Sequence, residues 1–259
     1  MTLQLLVAAV KKKPLELAEE MHINSDAIIV SQGNGYGYEE LEYKGHKIRY
    51  FAMEDRGVGL NRNTALLHAT SDILLFADED IVYCDDYCSK VLEQFERYPQ
   101  ADMLLFNVKA SEGRETYHTE NFGRVHLYNC GRYPTYSFAV RREALHKNNI
   151  TFSLLFGGGA KYSNGEDSLF IRDCLNVGMK VYRVPVHIGA ETARESTWFQ
   201  GYNEKFFFDR GVLYSYLYGR LDRAMALRWL LAHKEELCKE IPLKEAYTIM
   251  GKGIKEGRK

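Results

Sequence analysis

Acidic residues at two places in the chain have the types and spacing to do chemistry. Asp78-Glu79-Asp80 follows the apolar run Ile73-Leu74-Leu75-Phe76, and Glu166-Asp167 follows the glycine-rich stretch from Phe156 to Gly165. A short uninterrupted apolar run forms a buried central strand. The first acids therefore stand where that strand leaves its sheet, the edge at which α/β sheets collect ligands. Carboxylates so close together repel, and burying them unpaired is costly. Oxygen-only ligands suit a hard cation such as magnesium or manganese; a solvated acidic turn is the alternative. The second pair opens a helix continued by Leu169, Phe170, Ile171 and Leu175. Acids at a helix amino terminus are stabilised by its dipole, which suffices for an isolated Glu-Asp. The glycines before it also permit close backbone approach to a ligand.

The elements that must position these acids alternate between strand and helix. Leu3 to Val10 reads as a first strand ahead of Lys11-Lys12-Lys13, and a helix enters at Pro14 with Leu15, Leu17, Ala18 and Met21 on its apolar side. Asp26 to Ser31 is a second buried strand. The loop Gln32-Gly33-Asn34-Gly35-Tyr36-Gly37 has the spacing G-x-G-x-G, and Glu39, Glu40 and Glu42 follow in place of a helix. It therefore departs from the dinucleotide fingerprint, and reads as a flexible loop at the ligand edge or a plain surface turn. Lys47 to Ala52 alternates as a third strand. A glycine turn at Gly57 and Gly59 leads into a helix from Asn61. Arg56 and Arg62, in or just after that turn, could pair with the acids, hold a phosphate, or make a surface salt bridge.

Farther on, a helix is predicted over Asp85–Tyr98, a strand over Asp102–Val108, a strand over Tyr136–Val140 and a short helix over Arg141–Lys147. Lys109 to Pro134 shows no period. Gly178 to Pro185 reads as turn and strand, with His187 just beyond it, and Phe206 to Glu240 is helical.

Bulk properties narrow the class. A chain of 259 residues fits one large domain or one domain with an appendage. A net charge of −1 gives no global basic field, so nucleic acid is not an expected partner. The five cysteines are odd in number and scattered, as reduced thiols in a cytosolic protein are. Cys84 and Cys88 could share a metal by their helical spacing, but no second Cys/His pair completes a zinc site. No signal peptide precedes the lysines, and no run reaches the roughly 18 apolar residues a spanning helix needs. The tail carries Lys244, Lys252, Lys255, Arg258 and Lys259 against Glu245 and Glu256. It reads either as a basic amphipathic segment for an anionic membrane surface or as a helix packed on the rest of the chain.

A strand, the turn Gly57-Val58-Gly59-Leu60-Asn61-Arg62-Asn63, a helix, and a strand ending in Asp78-Glu79-Asp80 together resemble the glycosyltransferases of family 2. The resemblance spans about Leu3 to Thr197. It implies a GT-A fold: an α/β architecture with a Rossmann-like mixed, mostly parallel central sheet flanked by helices. A catalytic domain over 1–197 would divide into a nucleotide-sugar half (1–108) and an acceptor half (109–197), with a helical extension over 198–259.

By the same resemblance Asp78-Glu79-Asp80 is the DxD motif. Asp80 would help hold Mn2+ or Mg2+ on the donor diphosphate, with the late histidine His187 as a further ligand. Asp78 would approach the ribose, and Ala8, Gln32, Arg56, Arg62 and Glu79 join it in the nucleotide-sugar site. Asp167 would be the general base that deprotonates an acceptor hydroxyl, with Glu166 orienting it. Arg194 would instead meet phosphate, and Trp198, Phe199 and Tyr202 would build an acceptor platform or pack the next helix. Two positions depart from the family pattern. The first strand ends Ala8-Ala9-Val10-Lys11 in place of Pro-Thr-Tyr-Asn, and Ser31-Gln32 stand where acids usually read the base.

What the resemblance implies is a metal-dependent, inverting transferase that moves a sugar, expected from a UDP-sugar, to a saccharide or a lipid-linked saccharide of cell-envelope or capsule assembly. It would be cytoplasmic, with peripheral attachment to the inner membrane face and homo-oligomerisation left open. A sugar nucleotidyltransferase is the rival enzyme, although Lys11-Lys12-Lys13 lacks the glycines of that signature. A non-catalytic carbohydrate-binding protein would account for the 18 tyrosines but not for two acidic centres.

Overall fold

The computed structural model describes residues 1–110, 117–192 and 201–259. The predicted buried runs become strands β1 (Leu3–Val10), β2 (Asp26–Gln32), β4 (His46–Met53), β5 (Ile73–Asp78) and β7 (Met103–Lys109). With β3 (Gly37–Tyr43), β6 (Ile81–Tyr83), β8 (Gly123–Arg124), β9 (Phe138–Arg141) and β10 (Val181–Glu191) they form one sheet. Its order is β3-β4-β2-β1-β5-β9-β7-β10-β6, with β8 beside β10. The contiguous strands β4, β2, β1 and β5 are parallel, as are β7 and β10; β3, β6, β8 and β9 pair antiparallel with their neighbours.

Alternation along β1 divides the core between the two faces of the sheet. Leu5, Val7 and Ala9 face α1 (Pro14–Glu20) and α3 (Tyr87–Arg97), with Leu17, Tyr87, Val91 and Phe95 in that layer. Leu6 lies on the opposite face, in the layer of α2 (Val58–His68), α4 (Arg142–Asn148) and α5 (Glu166–Asn176), with Ala65, Leu66, Phe76, Phe138 and Phe170. Both layers bring helix termini to the edge where β1, β2 and β5 end.

The chain finishes in α6 (Glu204–Tyr218), α7 (Asp222–Ala232), α8 (Lys234–Leu237) and α9 (Leu243–Gly257). A third apolar cluster unites these helices with Phe156, Tyr162 and Leu169 of the loop and helix that carry Glu166 and Asp167. The packing alternative for the tail is the one observed: Ala246, Ile249, Met250 and Ile254 are buried in this cluster. Helices α6 and α9 cross at glycines, since a Cβ on Gly211 would lie 2.2 Å from the Met250 carbonyl oxygen and one on Gly253 2.1 Å from that of Phe208. No helix among the described residues is long and apolar enough to cross a membrane.

Two expectations change. The polar stretch after Gly37 is a strand, β3, hydrogen-bonded along its length to β4 at the sheet edge. The last strand does not end at Pro185 but runs to Glu191, with register shifts against β7 on both sides of His187. A proline is tolerated where the ladder is already interrupted.

Candidate active site

The two acidic motifs, far apart in sequence, meet on one arginine. Asn61 anchors the first turn of α2 by donating to the Val30 carbonyl (2.8 Å), and Asn63 exchanges hydrogen bonds with the Phe152 backbone (2.7 and 2.8 Å). Arg62, between them, is aimed across the strand ends. One terminal nitrogen donates to Asp78 Oδ1 at 2.8 Å; the other donates to Glu166 Oε1 at 3.0 Å and Asp167 Oδ1 at 3.3 Å. Its guanidinium carbon lies 5.3 Å from the centroid of the Phe152 ring. The arginine is only 4% exposed. Burial opposes its charge, but Asp78, Asp167 and Glu166 together outweigh that and hold its pKa above the ordinary range.

The pair at the start of α5 divides into a deep and a shallow carboxylate. The Glu166 side chain is 12% exposed and that of Asp167 30%. Burial, then the neighbouring charge of Asp167, pushes the Glu166 carboxyl up to about 8 against the pull of Arg62. Glu166 therefore keeps its proton near neutrality. Asp167 accepts a 2.5 Å hydrogen bond from the Thr135 hydroxyl, which is buried in the turn just before β9. Gly157 closes the site from behind. At its φ of +105° a side chain is strained, and a Cβ would stand 2.5 Å from Val58 Cγ1 and 2.8 Å from Glu166 Cδ. The loop is held from α6 as well, because Asp209 accepts from the Ser163 amide at 2.9 Å.

The other predicted residues are distributed along the same edge. Ala8 sits in register with Asp78 on β1. Glu79 accepts from the Val10 amide at 2.8 Å and so fastens the end of β1 to the acidic turn. Asp80 is half-buried, and its carbonyl receives the Thr192 amide and hydroxyl (2.8 and 3.1 Å). A cleft of about 300 Å³ opens there, lined by Lys12, Glu20, Glu79, Asp80 and Thr192. The Gln32 amide meets the Gly57 backbone, donating at 2.9 Å and accepting at 3.3 Å, and so shapes the α2 turn. Arg56 is exposed before that turn.

His187 is not brought to Asp80. It sits beside Cys84, 3.8 Å from the sulfur, whereas Asp80 lies against Thr192. Five residues of extended chain span on the order of 16 Å. Burial first, then Lys90, His118 and Lys109, holds His187 below its usual pKa. Cationic neighbours are a poor setting for a further cation. Arg194, Trp198 and Phe199 lie outside the described residues, and Tyr202 packs edge-on against Phe206 with its hydroxyl on Glu236.

Among the described residues no three His, Cys, Asp or Glu side chains converge on a common metal position. A complete protein cage is thus not what this edge offers. One or two carboxylates completed by substrate phosphates is the usual arrangement for magnesium, and Asp80 in the cleft fits that donor set.

Thr135 and Phe152 are the residues missed by sequence reasoning. Thr135 follows a stretch without period, and Phe152 reads as ordinary core; only the meeting of distant segments gives either a role.

Comparison with known proteins adds the context. The model of glycosyl transferase family 2 matches residues 17–157. No curated protein matches the sequence significantly. Among solved structures, S. aureus TarS 1–349 in complex with UDP-GlcNAc is similar at a TM-score of 0.67 and 16% identity, covering 98% of this chain and 81% of that one. The mannosyltransferase PcManGT from Pyrobaculum calidifontis, in complex with GDP-Man and Mn2+, is similar at 0.52 and 13%, covering 98% and 85%. Those likenesses establish a shared fold, the GT-A architecture of glycosyltransferases. With more than half of its length matched by the family model, the chain belongs to glycosyl transferase family 2.

Proposed function

We propose that the protein transfers a sugar from a nucleoside-diphosphate sugar, a UDP-sugar in the first instance, to a hydroxyl of a saccharide or lipid-linked saccharide, with inversion at the anomeric carbon. The observation that carries this is the Arg62 junction: it joins the donor-side carboxylate Asp78 and the α5 carboxylate Asp167 on a single guanidinium. The uridine choice draws on the UDP-GlcNAc complex of TarS.

A hydroxyl is a poor nucleophile until its proton is removed. Asp167 accepts that proton as the acceptor oxygen bonds to the anomeric carbon and the bond to the diphosphate breaks on the opposite side. Thr135 and Arg62 fix the orientation of its carboxylate. Glu166, neutral in this setting, adds no second charge to oppose the first. Asp80 would hold a Mn2+ or Mg2+ ion with the donor diphosphate, and that ion supplies neutralisation of the leaving charge.

Asp167→Asn preserves shape and removes the base. Single-turnover transfer at saturating donor and acceptor is expected to drop about 10²–10⁴-fold, with UDP affinity little changed. Near-normal turnover would take Asp167 out of the mechanism.

A further inference from the structure

Helix α7 has apolar residues on two sides. Ala226 and Leu230 enter the third core cluster. Leu227 and Leu231 are 38% and 58% exposed, and with exposed Ala224 they follow the i, i+3, i+7 spacing of one outward stripe. Leu221, in the single turn before the helix, is 65% exposed. Arg223 and Arg228 flank the stripe on either side, and Arg220 and Lys234 stand at its two ends, all exposed. Among the described residues none of these four cations forms a side-chain ion pair. Of the acids nearby, Asp222 is fully buried on Arg258, while Glu235 and Glu236 are exposed beside Lys234, so that four exposed cations stand against two exposed carboxylates. Because the whole chain carries a net charge of −1, this face is positive by local arrangement.

We infer that this α7 face docks the protein on an anionic lipid surface, the leucines entering the headgroup boundary and the arginines meeting lipid phosphates. Long basic side chains lie along an apolar surface and present their charge at its rim, which is the pattern of interfacial helices. Charge complementarity selects this occupant over a second copy. A two-fold contact would set the same patch against itself, arginine against arginine, with the compensating acids Glu235 and Glu236 confined to the α8 end. The membrane contact belongs to α7 and not to the tail, since the apolar side of α9 is buried against its neighbours. The inference does not depend on the chemistry proposed above, and its test needs no turnover.

The test is co-sedimentation of the full chain with vesicles of phosphatidylglycerol and phosphatidylcholine, and of phosphatidylcholine alone, at low and high salt. The protein is expected to pellet with the anionic vesicles at low salt and to be released as salt screens the field. Leu227→Ser with Leu231→Ser should weaken binding at least about tenfold, from the apolar area no longer buried. Arg223→Gln with Arg228→Gln should reduce both binding and its salt dependence, while Lys252→Gln with Lys255→Gln on α9 should match the wild type. All these positions are exposed, and an unchanged thermal unfolding midpoint checks each variant. Failure of the wild type to bind anionic vesicles would overturn the inference, as would equal binding by the leucine pair. Concentration-dependent dimers in ultracentrifugation that the leucine pair abolishes, without vesicle binding, would assign the face to a second copy and overturn it as well.

Discussion

Replacing Arg62 with methionine removes a buried cation while keeping most of its apolar length. Three carboxylates then lose their common partner. Asp78 is 35% exposed and is screened by solvent, so its share is discounted. The deficit comes from the Asp167 carboxylate, 30% exposed, and from the lost hydrogen bond to Glu166, which is 12% exposed and keeps its proton near neutrality. Breaking a buried pair by removing one member costs about 3–5 kcal/mol, and the more open Asp167 places the expected loss toward the lower figure. The pH dependence discriminates this cause from a simple packing defect. Without the guanidinium, which pulls the Glu166 carboxyl down, that carboxyl titrates above its wild-type value of about 8 in the folded chain. Above that pH the variant still holds a proton that the wild type and the unfolded chain have released, so its deficit grows as pH rises. Denaturant midpoints measured against the wild type should show a larger deficit at about pH 9 than at about pH 7. An equal deficit at both would refute the electrostatic account and leave only lost packing on Phe152.

Three further outcomes follow from the same geometry. Glu166→Gln should flatten the wild-type stability profile: the raised carboxyl contributes stability fully present below its ordinary value of 4.5 and lost by about 8, at up to about 1.4 kcal/mol per pH unit, read by urea titration across that range. Gly157→Ala forces a Cβ into Val58 and the Glu166 carboxyl at a φ of +105°; a loss of about 1–2 kcal/mol is expected, with transfer falling further than stability explains, and unchanged kinetics would contradict the packing described. Manganese is expected to raise UDP affinity in calorimetric titrations and Asp80→Ala to abolish that gain; an undiminished gain would remove Asp80 from the proposed cation site.

Much of the sheet was legible because its central strands are buried on both faces. Ile73 to Phe76, Ala27 to Val30 and Met103 to Phe106 are uninterrupted apolar runs. The edge strand β3 was missed for the converse reason: with Glu39, Glu40 and Glu42 it has no buried face, and only pairing with β4 makes it a strand. Pro185 suggested an end to β10, yet the ladder is irregular there and the strand continues, which carries His187 away from the acids. Arg62 was singled out, but its choice among a carboxylate, a phosphate and solvent was open. The choice is decided by residues 104 and 105 positions later, a separation no local pattern reports. Asn61 and Asn63 look like generic turn residues in sequence; in the fold they set the direction of the arginine between them.

The tether between Ser163 and Asp209 orders events during synthesis. The donor-side strands, through β5 and its acids, are complete early in translation. The loop before Glu166 and Asp167 is not: the Ser163 amide is fixed by a residue 46 positions downstream, which the ribosome adds about 2–9 s later at ordinary elongation rates. Until α6 has emerged, the start of α5 lacks both that anchor and the leucine side chain of Leu213 that packs over Gly165. A nascent chain can thus form the edge that carries Asp78 and Asp80 before Asp167 is fixed against it. The Arg62 junction is completed last, with helices that contribute no carboxylate to it.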